Sequence, residues 1–457
     1  MPVASRLHSV DPSATLSAFA AVVLPLVSWG CGGDTGGGGS GNGNGAGGSP
    51  PSNKPVVMAP PPSMDPAAPD YRDPQLPGDE LLASEPLVDT DLFALDRVHR
   101  IHIRLWRHRL REVGDEERVP CDVSIDGRVI TKAGIRTKGF RGSDSREKPA
   151  FSLKLNEFVM GQRHSGLDKI ILNNAVQDPT FLNEAIGYGL YRRAGFAAPR
   201  VSHAVVSVNG EYFGLYVVKD GIDKQFLTRT FGKDANDGNL YEGQDADFMA
   251  DSEGMDLKNE VEEMRKRDDL EALAAALRSA TAATAMTALA PLMDVEHAFR
   301  SWAIDAVVGH WDGYWYGNNN YYVYSHPDGR FRMIPHGMDW LFSDGWPDYE
   351  PRANQDPFLR VSASPAGSGS SAFAGLAEAD APSRERYKKA LSWVVDNALD
   401  VPDLRAEFQE RAKAIEAWPQ DKGGTRVAND LASFRMQLPG VLDLLDKRKA
   451  FLKTKLP

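Results

Sequence analysis

Cysteine is almost absent, with only Cys31 and Cys121 in 457 residues. That excludes a disulfide framework, a cysteine-built zinc finger and an iron–sulfur cluster. Any chemistry must come from carboxylates, amides, lysines and histidines. Cationic excess is missing as well: Lys and Arg number 52 against 63 Asp and Glu, a net charge of −11. No global positive field recruits nucleic acid, and no nucleic-acid partner is expected. No apolar run reaches the roughly 20 residues of a membrane-spanning helix, and there is no internal repeat. What is plentiful is material for a core. Hydrophobic residues make up 42% of the chain, and at about 150 residues per domain the length allows two or three domains.

The longest apolar stretch near the start, Leu16–Val27, follows Arg6 and leads into Ser28-Trp-Gly-Cys31. A short apolar run behind a basic residue that closes on small residues has the form of an export signal, so residues 1–31 are assigned to a signal peptide. Cys31 after Gly30 resembles a bacterial lipoprotein processing site, although Ser28 stands where Leu is usual. A lipid anchor to the membrane is expected, with plain secretion as the alternative. Residues 32–80 are first Gly/Ser-rich and then Pro-rich, a flexible linker that stiffens along its length. The folded body is assigned to 85–457, exported and held at the cell envelope or surface.

Within the body, Ile101, Ile103 and Leu105 alternate with His102 and Arg104, the period of a half-buried strand. Val119 to Ile130, interrupted by Asp126-Gly127, predicts a hairpin, and further strands are expected at 133–138, 151–155 and 169–172. A helix is expected from Asp178-Pro179, and 201–208, Asn209-Gly210 and 212–218 form the clearest hairpin, because Asn-Gly supplies the positive φ of a type I′ turn. After Leu240 the pattern becomes helical over 257–293, 295–308 and from 384 onward, broken by strands at 321–324 and 331–334. The fold class is α+β, in two lobes: a β-rich one over about 92–218 and a mostly helical one over about 222–457.

Asp312 precedes the 321–334 hairpin, Asn320 enters it, and Asp339 follows it. A hairpin returns the chain to its starting edge, so these three side chains can converge. Two carboxylates and an amide are hard oxygen donors, suited to Mg²⁺ or Mn²⁺ with phosphate oxygens. Protein kinases use the same order of Asp, Asn, hairpin and Asp, but here the spacing is longer, and His-Arg-Asp, Asp-Phe-Gly and a glycine-rich Gly-x-Gly-x-x-Gly loop are all missing. Turn chemistry accounts for such residues equally well.

A set of longer motifs is more specific. Gly134-Ile-Arg-Thr-Lys-Gly139, Phe151-Ser-Leu-Lys-Leu155, Gly166-Leu-Asp-Lys-Ile-Ile-Leu-Asn-Asn174, Asp178-Pro-Thr-Phe-Leu182, Val208-Asn-Gly-Glu-Tyr-Phe-Gly-Leu-Tyr216, Gly238-Asn-Leu-Tyr241, Trp311-Asp-Gly-Tyr314, Asn319-Asn-Tyr-Tyr322 and Ile334-Pro335 occur in this order. Together they resemble the spore coat protein H (CotH) kinase family from about residue 92 to the C-terminus. The resemblance implies a divergent protein-kinase-like fold that binds ATP and a divalent metal between its lobes and phosphorylates Ser or Thr of surface proteins. It implies that Asp312 orients the substrate hydroxyl, that Asn320 and Asp339 hold Mg²⁺ or Mn²⁺, that Lys154 pairs with the phosphates and that Glu184 is its ion-pair partner. Arg136 and Lys138, beside the short flap 139–148, would cover the phosphates, and Val217–Gly221 would connect the lobes behind the adenine.

One departure matters. Many family members read Ile-Pro-Trp-Asp-Leu-Asp where this chain has Ile334-Pro-His-Gly-Met-Asp339, so one acidic residue is Gly337. The alternatives therefore stay open at this point: Lys154 as an ordinary solvent-facing strand lysine, Glu184 on a solvated helix face, and the whole chain as a non-catalytic surface adhesion or coat-assembly protein. A third, metal-dependent hydrolysis, draws on His310, His326 and His336, whose spacing fits no zinc motif.

Overall fold

The computed structural model describes Ser63 and residues 65–83, 86–88, 91–139, 144–248, 254–258, 266–342, 352–358, 371–419 and 421–456. The expected signal peptide, Cys31 and the Gly/Ser-rich stretch lie outside them. Among the described residues, no helix is long and apolar enough to cross a membrane.

Seven strands close into a barrel: β1 (His99–Leu105), β2 (Val119–Ile125), β3 (Arg128–Lys138), β4 (Ala150–Lys154), β5 (Lys169–Asn173), β6 (Val201–Val208) and β7 (Glu211–Asp220). Their order is β1-β2-β3-β4-β5-β7-β6, and a parallel pairing of β6 with β1 completes the ring. The period-two alternation explains the inside. Ile101, Ile103, Val123, Ile135, Phe151, Leu153, Ile170, Leu172, Val206 and Val218 fill one apolar cluster, each such side chain contributing about 1.5–3 kcal/mol on burial. The outward residues of the next strands, Val205, Leu215 and Val217, join a second cluster shared with the helices. At the β6–β7 turn Asn209 has φ 49° and Gly210 φ 81°, the two positive values that a type I′ turn needs, and Val208 sits opposite Glu211.

A second sheet has the order β11-β10-β8-β9, with β8 (Leu240–Gly243), β9 (Met255–Leu257), β10 (Tyr321–Ser325) and β11 (Phe331–Pro335). In chain order the helices are α1 (Asp79–Ala83), α2 (Asn183–Arg193), α3 (Lys224–Phe231), α4 (Asp268–Ser279), α5 (Ala285–Leu289), α6 (Val295–Val308), α7 (Tyr314–Gly317), α8 (Ala372–Ala379), α9 (Ala381–Asn397), α10 (Val401–Glu416) and α11 (Gly424–Lys455). The fold is mixed α/β with a β-rich region.

Four expectations need correction. The stretch 257–293 is not one helical run: Leu257 pairs with Tyr241 as part of β9, and α4 and α5 are separate. The helix expected from Asp178 begins at Asn183, because the Asp178 carboxylate caps from outside, accepting from the N–H groups of Thr180 (3.0 Å) and Asn183 (2.9 Å). The Pro-rich linker does not run free to residue 80. Leu76 is buried, Arg72 lies 3.2 Å from Asp122, and Asp79 pairs with Arg104 at 2.7 Å, so its last part lies on the barrel. Finally, residues 217–220 are not a connection but the end of β7, paired with β5 on one side and β6 on the other.

Candidate active site

Helix α6 ends at Gly309, in the left-handed conformation at φ 59°, and releases the chain into His310, Trp311 and Asp312. The short α7 then carries it to Asn318 and Asn320, whose φ values of 52° and 48° suit asparagine. This path brings the side chains back on themselves: Asn320 Nδ2 donates to Asp312 Oδ2 at 2.7 Å, and Asn319 Nδ2 to Asp312 Oδ1 at 3.1 Å. Burial raises the Asp312 carboxyl, Asn319 and His310 oppose the rise, and the negative charge of Asp339 adds to it. Asp339 is thus close on the return side of the hairpin, where Tyr321 pairs with Pro335.

The barrel meets this hairpin through β5 and α2. Asn173, the last residue of β5, donates from Nδ2 to Asp339 Oδ2 and to Glu184 Oε2, each at 3.1 Å. Asn183 Nδ2 donates to the Asp339 carbonyl at 3.0 Å. Glu184 is fully buried, and its carboxylate accepts from the Lys219 ammonium and from the Tyr188 hydroxyl at 3.2 Å. Burial raises the Glu184 carboxyl, and Lys219 pulls it back. The Lys219 and Glu184 side chains are only 4% and 1% exposed, so removing either leaves a buried charge without its partner.

Lys138, on β3, joins the same group. Burial lowers its ammonium, while Glu242, Asp339 and Glu184 raise it and Lys219 opposes them. His336 lies 3.8 Å from Glu242 and is held neutral, far below the ordinary imidazole range, by burial and then by Lys138 and Lys219. On the other side burial alone would lower His310, yet Asp305, 3.4 Å away, and Asp312 raise it. Behind His310, Asp305 also accepts from the Tyr191 hydroxyl at 2.7 Å.

Of the residues singled out in the sequence, Asp312, Asn320, Asp339, Glu184 and Lys138 come together. Lys154 and Arg136 do not join them. Lys154 stands opposite Lys169 across β4 and β5 and faces Lys169 and Asp223, and Arg136 donates to the carbonyls of Asp115 and Glu116, both at 3.2 Å. The ion-pair partner of Glu184 is not Lys154 but Lys219, in the stretch that the family resemblance places between the lobes. Lys154 lies between Leu153 and Leu155 much as Lys219 follows Val218, so local pattern cannot choose between them. Strand order does, because β7, not β4, pairs with β6, the strand against which α2 packs. Asn173 and Glu242 are not singled out by the sequence, although Asn173 lies in the Leu172-Asn-Asn174 motif; His310, which the sequence offers only as a hydrolase-type metal ligand, stands instead beside Asp305 and Asp312.

For a divalent cation the chemistry of the donors is suitable. Asn320 gives its Nδ2 to Asp312, which leaves Oδ1 turned to the Gly337 side, and Asp339 offers a carboxylate. Mg²⁺ is commonly held by one or two protein oxygens with water and phosphate completing its shell. Among the described residues no group of three or more His, Cys, Asp or Glu side chains could hold a metal by itself.

A family model described as "CotH kinase protein" matches residues 135–417, more than half of the chain. "Inner spore coat protein H" of Bacillus subtilis (strain 168) is 20% identical over 370 residues, covering 77% of this chain and 95% of its own length. "Invasin CotH2" of Rhizopus delemar is 24% identical over 224 residues, covering 46% of this chain and 36% of its own. Among solved structures, a Shewanella oneidensis complex of HipA, HipB and operator DNA aligns at 14% identity with 70% of this chain and 66% of that chain, at a TM-score of 0.28.

Proposed function

We propose, from the premise that this chain belongs to the CotH kinase protein family, that it is an atypical protein kinase passing the γ-phosphoryl group of ATP to Ser or Thr of surface proteins. In this reading the barrel and α2 form one lobe of a kinase-like arrangement and the helices the other. The observation that carries it is the buried Lys219–Glu184 pair beside Asp339, with Asp312 and Asn320 at the near end of the same hairpin.

Phosphoryl transfer needs positioning and neutralisation of charge more than covalent help from the protein. Asp312 takes the proton of the attacking hydroxyl as its oxygen bonds to the γ-phosphorus and the bond to the bridging oxygen of ADP breaks. Asn319 and Asn320 fix the carboxylate for that task. Lys219, held by Glu184, and Lys138 meet the phosphate oxygens. Asp339 and the Asn320 amide oxygen would hold Mg²⁺ or Mn²⁺, and a bound cation neutralises charge on those oxygens. Lys154 and Arg136 have no role at the phosphates in this scheme.

The relatives' names, an inner spore coat protein and an invasin, support a place at a coat or surface, in line with an N-terminal export signal and a lipid anchor at Cys31. The second reading, a non-catalytic surface module, is favoured by one observation, Gly337 in place of a family acid. The two separate in one experiment with the full chain. Asp339→Ala abolishes the thermal shift caused by Mg-ATP or Mn-ATP, whereas Asp312→Ala keeps the shift and loses transfer of labelled phosphate. Incorporation that survives both substitutions, or a wild-type chain without any shift, defeats the kinase reading.

A further inference from the structure

A cavity of about 190 Å³, lined by none of the candidate active-site residues, is bounded by α6, α7, α8, α9 and the segment 357–358. Its inner wall is aromatic: Trp302, Tyr316 and Tyr387 are 4%, 7% and 5% exposed. Tyr387 stacks on Trp302 with ring centroids 4.1 Å apart and is fixed by its hydroxyl, which donates to the Pro357 carbonyl at 2.7 Å. Ala377, 1% exposed, leaves the wall open where a larger residue would fill it. Phe358 meets Tyr387 edge-on and is itself 38% exposed, so an apolar side chain stands at the mouth.

The mouth is not apolar throughout. Arg384 and Lys388, one turn apart on α9, line the cavity together with a single acid, Glu378. Arg384 donates to the Glu378 backbone carbonyl at 2.5 Å, and Lys388 pairs with Glu385 at 2.7 Å in an exposed contact, the kind of pair that yields to a better partner at little cost. Apolar cavities of about 150 Å³ accept benzene-sized guests, so this one has room for a chain of roughly six to eight carbons. An apolar interior under two cations at one rim matches an amphiphile with an anionic head.

We propose that this cavity binds a medium-chain carboxylate, its alkyl chain against Trp302, Tyr316 and Tyr387 and its head at Arg384 and Lys388. Tyr316 lies on α7, between Asp312 and Asn320 in the chain, so the occupant touches the element that carries the candidate active-site loop. Binding itself does not depend on the kinase reading.

Sodium octanoate, octan-1-ol and octylammonium chloride are titrated into the full chain, below micellar concentrations, with calorimetry and thermal unfolding as readouts. Octanoate is expected to bind saturably and raise the unfolding temperature, and octylammonium to bind at least tenfold more weakly. Ala377→Phe, which fills the cavity, and the surface double variant Arg384→Glu/Lys388→Glu are each expected to weaken octanoate at least tenfold. The double variant changes only rim side chains, so it reports even if Ala377→Phe fails to fold. Non-saturable binding of octanoate, equal binding of octylammonium, or octanoate affinity unchanged in the double variant overturns the proposal.

Discussion

A Cβ atom placed on Gly337 would lie 2.4 Å from both Cγ and Oδ1 of Asn320. The residue that most visibly departs from the family motif is thus the one whose missing side chain makes room for the asparagine beside Asp312. Gly337 also has φ 57°, a conformation that side-chain-bearing residues adopt at a cost of about 1–3 kcal/mol when it is forced on them. Restoring the acid with Gly337→Asp is therefore expected to lower stability by about that much in urea unfolding and to weaken, not strengthen, the Mg-ATP thermal shift. A variant as stable as the parent with a larger shift would show that the loop re-forms around the acid.

The two lysines that sequence pattern cannot tell apart should behave very differently. Lys219→Met strands the Glu184 carboxylate in the interior and is expected to cost about 3–5 kcal/mol together with the nucleotide shift. Glu184→Gln added to it is expected to recover part of the stability and none of the shift. Lys154→Met is expected to cost at most about 1 kcal/mol, the range of a partly exposed charge contact, and to keep the shift. Chemical denaturation and thermal scans of the three variants decide the matter.

Asp430, on α11, reaches the barrel: its Oδ2 accepts from Lys148 Nζ and from the Leu215 N–H, both at 2.8 Å. Lys148 ends the flap 139–148, of which residues 140–143 lie outside the described ones, and which follows Lys138 in the chain. Asp430→Ala leaves a backbone N–H and a largely buried ammonium without their acceptor, at a cost of about 1–3 kcal/mol. Because Lys148 ends the flap that follows Lys138, KM for ATP is expected to rise with little change in kcat, and Asp430→Asn, which keeps one acceptor oxygen, to show a smaller stability loss and a smaller rise in KM.

Acid sensitivity should follow His203. Burial pushes its imidazole down to about 3, with the Arg411 cation acting in the same direction, while its Nε2 bonds the Phe181 carbonyl at 2.8 Å. Between pH 6.5 and 3 the unfolded chain therefore takes up a proton that the native state refuses. The stability this residue contributes is present above pH 6.5 and is lost as the pH falls toward 3, with a slope of at most about 1.4 kcal/mol per pH unit. His203→Gln, able to donate to the same carbonyl, is expected to lessen the slope of a series of urea midpoints between pH 7 and pH 4 by that contribution, leaving the part due to His297 and His336, whose imidazoles burial also lowers. An unchanged slope would place the proton uptake elsewhere.

Much of the local architecture was legible before any coordinates. The β6–β7 hairpin follows from Asn209-Gly210, and the inward face of β1 follows from Ile101, Ile103 and Leu105, because both depend on residues close in sequence. Where local pattern misleads, distant residues intervene. Leu257 sits in a helical-looking stretch, yet Tyr241 draws it into a sheet. Leu76 lies in a Pro-rich segment that has no periodicity, yet it is buried near the barrel.

The same division runs through the site. Asp312, Asn320 and Asp339 are neighbours because a hairpin with a recognisable turn joins them, and a turn is short-range information. Which lysine meets Glu184 is decided by a closed ring of strands in which β5 pairs with β7 rather than with β6. No local preference encodes that order, since it arises only when seven strands bury a common interior. The sequence alone determined which residue types were available and which turns bring some of them together; the barrel decided which buried charge would find its counter-charge.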